Sequence, residues 1–275
     1  MENRSLESLG EPLFNSRSSQ IYNWEEGMLL KLFHDDIEAE LIKHEHINTM
    51  EAFEKGISAV ECCGMVRVEN RTGMLIKRIE GKTLIALAGS KPTIVFRTPG
   101  IMADLQAKMH AAHTQKIRSY KELTLRALDS PPLDFLTAEE KELAKKKVKA
   151  LPDGDSILHL DYHPDNIMSD GKRETIIDWM TAARGAPAAD VAATLFLLNE
   201  GEMIPSLSKA VAKAMEMIRR IICKKYYKKY KQMTGLTDDE VSQWRLPFLV
   251  VRLHIWNIDS EVPGLQRKIR EELTH

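Results

Sequence analysis

The densest run of chemically capable side chains is His159-Leu160-Asp161-Tyr162-His163-Pro164-Asp165-Asn166, followed downstream by Ile176-Ile177-Asp178-Trp179. Asn166-Ile167-Met168 and Thr175-Ile176-Ile177 flank Ser169-Asp170-Gly171-Lys172, so the two apolar runs are expected to pair as an antiparallel hairpin. A turn centred near residue 172 sets Asn166 opposite Asp178 at the open end. An amide oxygen beside a carboxylate suits a hard cation such as magnesium, which takes one or two protein oxygens and fills its shell with phosphates and water. Asp161 enters the same place from the preceding loop. Ligands for a phosphate-bound cation, next to a carboxylate that orients and deprotonates a hydroxyl, are the parts that phosphoryl transfer requires.

A rival chemistry draws on the same residues. His159, Asp161, His163 and Asp165 alternate, and on one continuous strand they would share a face and bind zinc, as in a metal-dependent hydrolase. Pro164 opposes such a strand, since proline lacks the ladder donor and is confined to edges and bulges. This reading also leaves the hairpin and Asp178 without a role.

Two regions of different texture must position these groups. In the first third, residues 13–14, 20–22 and 28–33 read as strands, and Asp35 or Asp36 caps a helix running to Lys55 with Gly56 as its stop. Residues 66–68 and 74–79 flank Glu69-Asn70-Arg71-Thr72-Gly73, a hairpin signature. Beyond Gly81 the pattern turns helical. Thr98-Pro99 opens a helix to His113, and Thr137-x-x-Glu140 is a capping box for a helix ending near Lys149. Residues 188–198, 206–233 and 237–257 follow as helices, the last kinked at Pro247, with short strands at 156–158 and 175–177. The expected fold is α+β: a small antiparallel-sheet lobe with one main helix over residues 1–80, and a larger, mostly helical lobe over residues 81–275.

His-x-Asp-x-x-x-x-Asn, then an apolar strand and Asp, resembles the kinase catalytic loop and its metal-binding aspartate. The particular wording at 159–166 and 176–179 resembles the aminoglycoside phosphotransferase superfamily, protein-kinase-like small-molecule kinases related to choline kinase. Protein kinases usually carry Arg where Leu160 stands and Phe-Gly where Trp179-Met180 stand. The resemblance extends through Arg184-Gly185-Ala186-Pro187-Ala188-Ala189-Asp190. It implies a two-lobed protein-kinase-like fold and transfer of the γ-phosphoryl group of a nucleoside triphosphate (ATP, with GTP as the alternative) to a hydroxyl of a small molecule, with Mg2+. Asp161 is then the base or orienter, Asn166 and Asp178 hold the metal, and His159 and Asp190 support the loop, Asp190 through its backbone. Aminoglycosides, choline-like and sugar-like molecules are the implied acceptors. Their pocket is built in this superfamily by C-terminal helices that vary between branches, so these residues do not select among them. Two acidic loop residues facing it favour a cationic or polyhydroxy acceptor.

The nucleotide side is expected from the N-terminal lobe. Lys31 lies inside the apolar run Leu29-Leu30-Lys31-Leu32-Phe33 and needs a partner for its charge when buried. Ile37, Leu41 and Glu45 fall at helical spacing, which sets Glu45 on the apolar stripe, with Glu38 as the second choice. By the kinase resemblance, a Lys31–Glu45 pair aligns the phosphates, and Ile79, Glu80 and Gly81 form the hinge whose main chain meets adenine. The same resemblance makes Asn15-Ser16-Arg17-Ser18-Ser19 the phosphate-covering loop, with Ser16, Ser18 and Ser19 as its phosphate contacts. Kinase-like proteins have glycines there for close backbone approach, and this loop has none. A nucleotide-binding module without transfer activity is the alternative that this departure raises.

Bulk properties exclude little beyond this. The 275 residues, 43% hydrophobic and 29% charged, suffice for a substantial core, and a net charge of −1 gives no long-range pull toward nucleic acid or an anionic membrane. No apolar run is long enough for a transmembrane helix and no secretion signal opens the chain, so a cytoplasmic enzyme without membrane partners is expected. Cys62, Cys63 and Cys223 have no disulfide or zinc spacing and read as buried, reduced packing residues. The run Lys224-Lys225-Tyr226-Tyr227-Lys228-Lys229-Tyr230-Lys231 reads as a solvated helix face with its tyrosines turned inward, and His110 and His113 as packing or capping residues.

Overall fold

The computed structural model describes residues 5–201 and 209–274. Its N-terminal part is a sheet of β1 (Phe14–Asn15), β2 (Ser19–Asn23), β3 (Met28–Phe33), β4 (Cys62–Val68) and β5 (Arg71–Lys77), with α1 (Ala39–Glu54) between β3 and β4. The five strands run β1-β2-β3-β5-β4, every neighbouring pair antiparallel. Alternation along β3 decides what each face does. Leu30 and Leu32 pack with Tyr22 and Val68 on one side, while Phe33 packs with Ile42 of α1 and Met74 on the other. Lys31 shares its face with Phe33 and so points under α1.

Two boundaries here differ from expectation. Asp35 and Asp36 do not cap α1; they lie in a turn closed by Ile37 N to His34 O, and the first helical bonds reach the Glu38 carbonyl instead. The β4–β5 turn is only Glu69-Asn70, with Glu69 at φ 50°, and Gly73 belongs to β5. A side chain at 73 would meet Leu30 Cδ1 at 2.5 Å, which explains a glycine inside a strand.

The rest is mainly helical: β6 (Lys82–Thr83), α2 (Leu84–Ser90), α3 (Ile94–His110), α4 (Tyr120–Ala127), α5 (Ala138–Ala150), β7 (Ser156–Leu158), β8 (Ile167–Ser169), β9 (Glu174–Ile176), β10 (Ala183–Gly185), α6 (Pro187–Glu200), α7 (Lys209–Thr234), α8 (Asp238–Ser242), α9 (Arg245–Trp256) and α10 (Val262–Thr274). β6 joins β8 and β9 in a small sheet, and β7 pairs with β10. Thr137 and Glu140 form the capping box of α5. This is the expected α+β, kinase-like arrangement of an antiparallel N-terminal sheet followed by a helical region.

The prolines act differently from their sequence reading. Pro99 lies inside α3, which begins at Ile94; the helix opens on short i to i−3 bonds, and Pro99 withdraws only the donor for the Val95 carbonyl. The span 237–257 is two helices, not one kinked one. The Pro247 ring opposes the carbonyl four residues back, at Gln243, and the break falls at Gln243-Trp244. Of the span 206–233, residues 206–208 lie outside the described residues; the remainder is helical to Thr234. Tyr226 and Tyr230 are buried on its inner face. Cys62 is half-buried and Cys223 buried, but Cys63, contrary to expectation, is exposed. No described helix is long and apolar enough to cross a membrane.

Candidate active site

Asp161, Asn166 and Asp178 meet at the end of the β8–β9 hairpin, by a route that differs from the expected register. β8 pairs Ile167 with Ile176, and Ile177 N donates to the Asn166 carbonyl at 3.0 Å, so Ile177 rather than Asp178 stands opposite Asn166. Asp178 follows at φ 64°, a left-handed conformation that Asp adopts more readily than most residues. Its carboxylate Oδ1 accepts from Lys31 Nζ at 2.9 Å. Asn166 Nδ2 donates to the Asp161 carbonyl at 2.8 Å and to Asp161 Oδ2 at 3.3 Å. With its nitrogen committed, Asn166 presents Oδ1 as the oxygen free for a cation. One amide and one carboxylate oxygen are hard donors in the number magnesium takes from protein, so the donor set fits that ion.

Leu160, just before Asp161, sits at φ 65°. For a non-glycine residue outside the Asn/Asp class this costs about 1–2 kcal/mol and persists only when its surroundings hold it. They do: Leu160 N donates to Asp190 Oδ1 at 2.5 Å. His159 fixes the other side. Its Nε2 donates to the Ile177 carbonyl at 2.9 Å, its Nδ1 accepts from Asp161 N at 3.3 Å, and its ring packs on Trp179. Both His159 nitrogens are therefore used inside the loop. Residues 164–166 form a helical turn rather than a strand, and Asp165 accepts from Thr83 Oγ1 at 2.6 Å. The His/Asp alternation that a zinc site would need is thus broken, and no cluster of three or more potential metal-binding side chains occurs among the described residues.

Lys31 forms a buried ion pair with Glu45 in addition to its bond to Asp178. Burial alone would lower the Lys31 pKa, but Asp178 and Glu45 outweigh it and hold the amine above its ordinary range. Glu38 does not supply the partner; it sits at the start of α1 and is exposed. Burial likewise acts to raise the Asp161 carboxyl, yet His163, His159 and Arg252 overcome it and bring the pKa down to about 2. His163 is the counterpart: burial lowers it, but Asp161, with Asp165 and Asp178 behind, raises it above the usual imidazole value.

The remaining sequence candidates are placed as follows. Ser16 N donates to the Ser19 carbonyl at 2.8 Å and Ser19 N to Ser16 Oγ at 3.1 Å, closing a tight turn over Arg17 and Ser18. Ser18 and Ser19 are buried, and His34 braces the turn through the Ser16 and Ser18 carbonyls. Ile79 to Gly81 link β5 to β6, and the amides of Ile79 and Glu80 have no backbone partner among the described residues.

Several positioning groups escaped the sequence reading. Asn48 Nδ2 donates to the carbonyls of Trp179 and Ala182 at 2.9 and 3.0 Å, pinning the segment after Asp178 to α1. A signal existed, since Asn48 follows Glu45 by three residues on the buried stripe, where an amide needs partners. Arg118 reaches the Met180 and Thr181 carbonyls, at 3.3 and 3.4 Å. Arg252, forked onto Glu261 at 2.6 and 2.7 Å, brings positive charge toward Asp161. Neither arginine lies near the motif in sequence, and no local pattern marks them.

The family described as "Phosphotransferase enzyme family" matches residues 14–214. No curated protein sequence matches the chain. Among solved structures it is similar to a thermostable mutant of aminoglycoside phosphotransferase APH(4)-Ia (TM-score 0.64, 14% identity, 96% of this chain and 93% of that one). It is similar to aminoglycoside-3'-phosphotransferase of type VIII (TM-score 0.59, 15% identity, 88% and 92%). It is also similar to amicoumacin kinase hAmiN in complex with AMP-PNP, Ca2+ and Ami (TM-score 0.59, 14% identity, 98% and 89%). A further form of the first structure is a ternary complex with ADP and hygromycin B. At these identities the structural likeness establishes the fold.

Proposed function

The chain belongs to the phosphotransferase enzyme family, and from that premise we propose that it transfers the γ-phosphoryl group of ATP to a hydroxyl of a small polyhydroxy or cationic molecule. The nucleotide binds between an N-terminal lobe of residues 1–80 and a helical lobe of residues 81–275. The observation that carries this reading is the placement of Lys31: one amine bonded to both Glu45 of the main helix and Asp178, 147 residues away, beside Asp161 and Asn166. A strand, a helix and a hairpin converge there on the groups that phosphoryl transfer uses.

Lys31 aligns the α- and β-phosphates, its charge kept by Glu45 when Asp178 turns to a cation. Asn166 Oδ1 and the Asp178 carboxylate would hold magnesium, which would supply charge neutralisation of the triphosphate. The free amides of Ile79 and Glu80, with Gly81, serve the adenine edge, and the Ser16–Ser19 turn covers the phosphates. Asp161 is ionised at neutral pH and accepts the hydrogen bond of the acceptor hydroxyl. Since its pKa is about 2 beside His163, orientation is its first contribution and proton capture follows only as the hydroxyl acidifies in the transition state. The hygromycin B and nucleotide complexes of the structural neighbours support a hydroxyl-bearing acceptor and ATP.

The test is incubation with γ-labelled ATP and Mg2+ against aminoglycosides, amino alcohols and sugars. Label should pass to at least one acceptor, only with Mg2+, and the transfer should collapse in Asp161→Asn. A protein that binds no nucleotide would overturn the proposal. One that binds it yet labels none of the acceptors would favour the non-transferring module.

A further inference from the structure

Two features stand outside the site as described: the inward tyrosines of the basic run in α7, and His110 at the end of α3. They lie in one chain of hydrogen bonds. Tyr230 OH is 2.5 Å from His110 Nδ1, His110 Nε2 is 3.0 Å from Asp190 Oδ2, and Asp190 Oδ1 accepts from Leu160 N. The directions follow from the ends. Asp190 is acceptor-only, so His110 Nε2 donates to it, and in neutral imidazole Nδ1 then accepts from the Tyr230 hydroxyl. A strut runs alongside: Gln106 Nε2 donates to Asp190 Oδ2 at 2.8 Å and to Thr194 Oγ1 at 3.0 Å, and its Oε1 accepts from Tyr226 OH. Tyr226, Tyr230, His110, Gln106, Thr194 and Asp190 are all buried.

We propose that His110 and Tyr230 are positioning residues for phosphoryl transfer, acting through Asp190 on the left-handed Leu160 and thereby aiming Asp161. The inference rests on the assignment of Asp161 to the acceptor hydroxyl. Leu160, at φ 65° with its side chain in the core, has its amide tied to Asp190, and Asp161 is the next residue, so any relaxation at Leu160 swings that carboxylate. Asp190 in turn is a fully buried carboxylate whose second oxygen is held, among the described residues, by His110 and Gln106. Removing one of them loosens the anchor without abolishing it, because the other remains. Lys31, Glu45 and Asp178 make no bond in this chain, so nucleotide alignment should be spared.

Tyr230→Phe keeps the ring and removes the hydroxyl; His110→Asn removes the relay, and His110→Gln keeps an amide able to reach toward Asp190. Deuterium exchange over residues 159–166 and magnesium-dependent ATP turnover are measured on each, with Asp161→Asn alongside. Loss of one buried hydrogen bond should speed exchange at the Leu160 amide by roughly tenfold and lower kcat by about the same factor. The nucleotide KM should stay within about twofold, and exchange in β3 should be unchanged, because the loss acts on the transition state alone. His110→Asn should be slower still, with His110→Gln partly restored. Wild-type exchange and kcat in both Tyr230→Phe and His110→Asn would sink the inference, as would a uniform rise of exchange with KM and kcat worsening together. Should Asp161→Asn keep full turnover, the reading of Asp161 fails and this inference with it. A slow Asp161→Asn beside unaffected Tyr230 and His110 variants overturns the inference alone.

Discussion

Replacing Lys31 with methionine exposes how much of the site's architecture is a buried charge problem. Lys31 is 6% exposed and Glu45 1%, and Glu45 Oε2 has no hydrogen-bond partner among the described residues. Methionine fills the volume but strips Glu45 of its counter-charge. Breaking a buried pair by removing one member typically costs about 3–5 kcal/mol. Glu45 has an escape, however, which is to take up a proton. Burial already pushes its pKa up, Lys31 pulls it down, and Asp178 pushes it up again, so without Lys31 the upward pushes stand alone. Holding a carboxyl neutral at pH 7 against an ordinary pKa of about 4.3 costs about 1.36 kcal/mol per unit, near 3.7 kcal/mol, and this is the ceiling of the deficit. The sign follows from proton counting. The folded variant holds a proton that the unfolded chain has lost, so its stability falls as pH rises from the ordinary value toward the raised one. Urea unfolding of Lys31→Met should show a deficit that is larger at pH 7 than at pH 5 and does not exceed about 3.7 kcal/mol at pH 7. Lys31→Met with Glu45→Gln should recover most of it and flatten the pH dependence. A deficit equal at both pH values, or a double variant no more stable than the single one, would refute the reasoning.

Gly81→Ala should cost upward of about 2 kcal/mol in thermal or urea unfolding, because residue 81 sits at φ 125° and a Cβ there would lie 2.4 Å from the Ser169 carbonyl oxygen. Asn48→Ala leaves the Trp179 and Ala182 carbonyls without their donor and should cost about 2–3 kcal/mol, with faster exchange in residues 179–182 by mass spectrometry. Glu200 is held below the usual carboxylate range because Lys268 and Arg245 outweigh its partial burial. Its stabilisation is present above the ordinary carboxylate pKa and lost as pH falls through the depressed one. Glu200→Gln should therefore lose about 1 kcal/mol at pH 7 after screening and almost nothing at pH 3, read from urea midpoints.

Local features were legible in the sequence. β3 stands at the residues where its apolar run lies, Thr137 and Glu140 cap α5, and Lys31 meets Glu45 because a two-residue alternation and a helical stripe converge on one face. The hairpin was legible but not its last residue, since the left-handed turn at Asp178 depends on contacts with Lys31 and with the segment that Asn48 holds. The short helices α2 and α4 left no strong period. α10 carries one, in Leu265, Ile269 and Leu273, which recur every four residues along its buried face. The anchors of the catalytic loop were out of reach for a different reason. His110, Gln106 and Arg118 act across separations of 62 to 84 residues through single polar atoms, which periodicity does not record.

The most direct test of the central claim separates Asp161 from Asp178. A fluorescent ATP analogue is titrated into Asp161→Asn, Asp178→Asn and the unaltered protein, with and without Mg2+, and transfer to an identified acceptor is then followed in single turnovers. Asp178→Asn should abolish the magnesium-dependent part of the affinity. Asp161→Asn should keep the affinity within about threefold while slowing transfer by roughly 10²–10⁴-fold, the range for loss of a group that acts on the acceptor hydroxyl. Equal loss of nucleotide affinity in both variants would make Asp161 a metal ligand and contradict the division of labour proposed for the site.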